Sequence, residues 1–174
     1  MKEPNTGNQH LDHNLVWFRL MTEMAVAPAE RSLEFRRLYR RTVLNMTIVT
    51  SGVIHQPGDY CVSACCALGT AALNPYFNLI GLSPARAPLS VRLSTMNVML
   101  LGRSIMFTSP KLAALFGLPY DRYIRIVEPA SYGKRSEGNP ITAHDVMSVM
   151  REVMIETFEV DPLSHPYITG LRAA

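Results

Sequence analysis

The run Cys61-Val62-Ser63-Ala64-Cys65-Cys66-Ala67-Leu68-Gly69-Thr70-Ala71-Ala72-Leu73 constrains the fold more than any other stretch, because it is small and apolar on almost every side. Short side chains let neighbouring backbones approach closely, and a segment without a polar face has to be surrounded. Pro57-Gly58 marks a tight turn just before it, and Asp59 stands where a helix cap is expected. The pattern predicts a central helix from Tyr60 to about Leu73, against which the rest of the chain packs.

The flanking segments read mostly as helices. From His10 to about Ala27, Leu11, Leu15, Phe18 and Met21 or Thr22 recur near the helical period, and Pro28 ends the run. Ala29 to Ser51 predicts a second helix closed by Gly52, with Phe35, Leu38, Tyr39, Thr42, Met46 and Val49 on one face. Arg36, Arg37, Arg40 and Arg41 share the opposite face, and beyond them Leu44 and Ile48 make it apolar. Asn74 to Pro88, broken by prolines and Gly81, predicts a surface connection.

Val91 to Leu101 is predicted as helix on Leu93, Met96 and Leu100, while Ser104 to Thr108 fits helix or strand equally. Ser109-Pro110 followed by Lys111 to Gly117 has a cap, a first-turn proline and a terminating glycine in order, which predicts a short helix. Pro119 to Val127 stays open between helix and strand. Ala130 to Pro140 has the composition of an exposed loop. Thr142 with Asp145 is an acidic form of the capping box, opening a long helix to about Glu159. Residues 1–9 and 162–174 are expected to be extended or partly disordered tails of one domain spanning 1–174. The expected architecture is mainly α, a multi-helix domain around the buried helix at about 60–73, with room for one short strand pair.

Of the 174 residues 48% are hydrophobic and 18% charged, enough to build a core and far from the composition of disorder. No apolar tract approaches the roughly 20 residues that cross a bilayer, and no basic start with an apolar run behind it marks export. Three clustered cysteines are the reverse of a spread disulfide framework, so a cytoplasmic, reducing location is expected. A formal net charge of +3 falls short of a dedicated nucleic-acid binder.

Several residues have chemistry to offer. Cys61, at the start of the predicted helix, would have its thiolate stabilised by the helix dipole, and Cys65 lies one turn further on. A thiol enzyme built on either would need a base, for which His55 and His144 are the candidates, and an orienting group such as Asn139 or Asp121. Nothing in the spacing joins these parts, and small cysteines are also ordinary filling for tight interfaces. The same cysteines lack the paired knuckles of structural zinc, so no metal and no cofactor is expected. Arg36, Arg37, Arg40 and Arg41 form the candidate binding face, for phosphates or an acidic protein, although Glu34 can pair with Arg37 and make it an ordinary solvated surface. Met96, Met99, Met106, Met147, Met150 and Met154 fit adaptable core or a groove for a partner helix.

Cys61 to Ala72, with Pro75, Phe77 and Gly81-Leu82 after it, resembles a group of small phage and bacterial proteins with no assigned activity. Their shared helix carries Cys-Gly-Thr-x-x-Cys-Ala-x-Gly-His, followed by a short helix ending Phe-Gly-Leu and a capped final helix. Leu115-Phe116-Gly117-Leu118 and Ile141-Thr142-Ala143-His144-Asp145-Val146 look like the latter two. Val62-Ser63 replaces the group's Gly-Thr, and Thr70 stands where the group often has histidine. The resemblance covers about half of the chain and implies a phage or mobile-element origin. The functional expectation is a non-enzymatic interaction protein, phage-encoded and acting in the host cytoplasm, that binds a host or phage protein or self-assembles. The alternatives are a cysteine-dependent hydrolase or transferase, and a nucleic-acid-binding accessory protein using the arginine face. No membrane partner is expected.

Overall fold

The computed structural model describes residues 3–39, 42–46, 49–56, 59–86, 93–133 and 140–170. Their order is α1 (Gln9–Ala25), α2 (Leu33–Tyr39), β1 (Val43–Leu44), β2 (Thr50–Gln56), β3 (Asp59–Cys65), α3 (Ala67–Leu73), α4 (Pro75–Leu79) and β4 (Leu82–Arg86). Then come β5 (Leu93–Leu100), β6 (Arg103–Met106), α5 (Pro110–Leu115), α6 (Tyr120–Val127), α7 (Ala143–Phe158) and α8 (Pro166–Thr169). The protein is therefore mixed α and β, which corrects the mainly helical expectation. Among the described residues β3 lies between a parallel β1 and an antiparallel β2, and β5 lies between antiparallel β4 and β6.

Three predicted helices are shorter or absent, each for a physical reason. The helix expected over Tyr60 to Leu73 is half strand: Tyr60, Cys61 and Val62 pair with Ile54, Val53 and Gly52. Small, aromatic and β-branched residues suit such a ladder as well as a helix core. Asp59, expected as a cap, pairs with Gln56, and the helix cap falls on Cys66. The second predicted helix stops at Tyr39, where the sequence turns β-branched with Thr42, Val43, Val49 and Thr50. Leu93–Leu100 is a strand because β4 and β6 pair with it on both sides. The two open segments resolve as a strand in β6 and a helix in α6.

The local signals that did predict helices act as expected. Ser109 caps α5 with Pro110 in its first turn. In α7 the Thr142 N–H donates to Asp145 Oδ2 at 2.8 Å while Thr142 Oγ1 accepts from the Asp145 N–H, completing the capping box. Beyond Pro162 the chain forms a 3-10 turn and α8, whose Ile168 is buried, so this part of the expected tail is packed.

All seven residues of α3 are buried, so this half of the small-residue run is indeed central. α1 packs on it and on α7. The Trp17 indole N–H donates to the Ala67 carbonyl at 2.8 Å, and its ring stacks on Phe116 with centroids 4.3 Å apart. Tyr39 donates its hydroxyl to the Thr70 carbonyl at 2.7 Å. These buried polar groups are paired, as an apolar interior requires. Where α1 ends, Arg31 donates to the Met24 and Val26 carbonyls, and Glu23 accepts from the Ser32 N–H at 2.9 Å, turning the chain into α2.

Candidate binding cleft

The cysteines are placed by strand and cap rather than by a long helix. Cys61 lies within β3, paired with Val53, and so is not at a helix N-terminus. Cys65 and Cys66 are buried at the junction of β3 and α3. Cys65 Sγ lies 3.1 Å from Thr70 Oγ1, and Cys66 Sγ accepts from the Gly69 N–H at 3.4 Å. Burial pushes their thiols up to about 12 and about 11. His55 sits at the register shift in β2. His144 is an exposed residue of the first turn of α7, and Asp121 is exposed on α6. Among the described residues neither Cys65 nor Cys66 is hydrogen-bonded to a histidine, and Asn139 lies outside them. Among the described residues no group of histidine, cysteine and carboxylate side chains could hold a metal ion.

Arg36 and Arg37 lie on the short α2, Arg36 half-buried and Arg37 exposed, while Arg40 and Arg41 lie outside the described residues. Of the methionines, Met150 and Met154 are core, whereas Met96 and Met106 are exposed on β5 and β6.

Among the described residues, a cleft of about 810 Å³ lies where the sequence marked nothing. The N-terminal segment brings Glu3, α1 brings Arg19 and Glu23, the α1–α2 turn brings Glu30, and α8 brings Tyr167, with His165 as its cap. A smaller hollow shares Glu3 and Tyr167 with it and extends it to Glu34, Tyr76 and Leu79. The Arg19 guanidinium lies over the Tyr167 ring, 5.0 Å from its centroid, and its buried Nε has no hydrogen-bond partner among the described residues.

The cleft holds both signs of charge, the carboxylates of Glu3, Glu23 and Glu30 and the guanidinium of Arg19. Burial first, then the carboxylates of Asp12 and Glu3, push the Tyr76 hydroxyl up to about 12. Tyr167 is raised by burial as well, with Glu34 and Glu3 adding to the rise and Arg19 opposing it. Carboxylates around two aromatic rings and an exposed leucine can receive a segment that carries both cationic and apolar side chains. Neither Cys65 nor Cys66 is in the lining of either hollow.

Compared with protein-family models, curated proteins and solved structures, the chain matches none of them. Among the described residues no helix is long and apolar enough to cross a membrane.

Proposed function

We propose that this is a non-enzymatic interaction protein, phage-encoded and working in the host cytoplasm, whose cleft between α1 and α8 docks a basic segment of a protein. The observation that carries the reading is the cleft itself: a volume of about 810 Å³ bordered by the exposed Glu3 and Glu30, with Arg19 and the Tyr167 ring in its wall. Such a surface attracts Lys- and Arg-bearing segments and holds their apolar neighbours on the aromatic rings. A thiol enzyme has less behind it, because Cys65 and Cys66 are covered and held protonated. The arginine face, with Arg36 half-buried, offers little phosphate-binding surface on α2.

Fluorescence anisotropy with a labelled peptide alternating lysine and leucine tests the reading. The peptide is expected to bind, more weakly at high salt, and to lose about tenfold or more in affinity when Glu3 and Glu30 are both changed to lysine. Arg36→Ala is expected to leave binding unchanged. Absence of binding, or binding indifferent to the two glutamates, overturns the proposal.

A further inference from the structure

We infer that the segment received by the cleft is the β5–β6 hairpin tip of a second copy, so that copies associate head to tail; the inference rests on reading the cleft as a docking surface for a basic segment. Leu100 pairs with Arg103, which leaves Leu101 and Gly102 as a two-residue turn with φ of 49° and 78°. Positive φ at both positions is the geometry in which asparagine or glycine is usual, yet here a leucine 77% exposed occupies the first of them. Its N–H is held by the Gly81 carbonyl at 2.9 Å, so the tip is fixed in place.

Leu101 shares one shallow hollow with Arg103 and Lys111, and no carboxylate among the described residues lines it. Both cations are exposed, and no ion pair among the described residues engages either. The tip is thus apolar at its turn and basic at its flanks. The cleft and its smaller extension have Tyr167, Tyr76 and Leu79 inside, the Arg19 guanidinium on the Tyr167 ring, and the carboxylates of Glu3, Glu30 and Glu34 at their border. The cations of one surface are opposite in charge to the carboxylates of the other, and a net charge of +3 leaves little overall repulsion between copies. Because tip and cleft are different surfaces, the contact is heterologous and builds rings or chains unless two tips engage reciprocally.

Sedimentation velocity over a concentration series at low and high salt tests this with three variants. The unmodified protein is expected to associate as concentration rises and to dissociate in high salt. Leu101→Asn, which suits the turn and should fold, is expected to weaken association about tenfold or more. A variant with Arg103→Glu and Lys111→Glu, and one with Glu3→Lys and Glu30→Lys, are each expected to remain monomeric alone and to associate when mixed. A chain that stays monomeric at every concentration and salt, or variants that associate as the unmodified protein does, overturns the inference. If the protein is monomeric but the lysine–leucine peptide still binds the cleft, only the self-association fails; if neither is seen, both readings fail.

Discussion

Gly69 packs its bare α-carbon against the backbone of Val49, so closely that a β-carbon there would overlap the Val49 carbonyl oxygen. The same oxygen accepts the Cys66 N–H at 3.1 Å, which fixes the start of α3 against the strand region. Gly69→Ala would raise helix propensity but force the two backbones apart. It is expected to destabilise the fold by about 3 kcal/mol, well beyond the roughly 1 kcal/mol that propensity returns. Urea denaturation checks this, and an unchanged midpoint would contradict the close approach.

His13 is buried where α1 meets α5, its Nδ1 2.9 Å from the Leu115 carbonyl and its ring edge-on to Tyr76 and Phe77. Burial lowers its pKa below the ordinary 6.5, outweighing the Leu115 carbonyl, with His10 lowering it further and Asp12 opposing. The unfolded chain therefore takes up a proton that the folded one resists, and stability should fall as pH drops below about 6.5. The slope from one such group cannot exceed about 1.4 kcal/mol per pH unit. Thermal unfolding of the unmodified protein and of His13→Gln between mildly acid and neutral pH is expected to show a flatter dependence in the variant; equal slopes would remove His13 as the cause.

Cys65 and Cys66, with thiols pushed up to about 12 and about 11 and no exposed surface to speak of, should resist alkylation in the folded protein. Iodoacetamide at neutral pH followed by peptide mass mapping is expected to modify both only after denaturation. Labelling of either at or above the rate of a free thiol in the native protein would restore the case for thiol chemistry.

What could be read in the sequence was what is encoded locally. Ser109-Pro110 and the Thr142–Asp145 pair each act within one helical turn, so α5 and α7 lie where their signals stand. Burial of Ala67 to Leu73 was equally legible, because no polar face was present to meet water. The strands were not. Nothing in Tyr60 to Cys65 separates a strand from a buried helix; the decision comes from Val53 and Ile54 across the ladder, outside any helical window. The cleft was hidden for a stronger version of that reason: Glu3, Arg19 and Tyr167 come from both ends of the chain and meet only in the folded protein.

The packing of α1 on α3 and α7 sets an order on how the chain can mature. Trp17, Phe18, Leu20 and Met21 leave the ribosome first, while Phe116 and the α7 residues Val146, Met150 and Val153 that complete the same core follow well after them. During that interval the first helix has an aromatic face with nothing durable to rest on, the kind of surface that chaperones hold and that drives aggregation. Chains interrupted before Ala143 should therefore be insoluble or degraded rather than partly active.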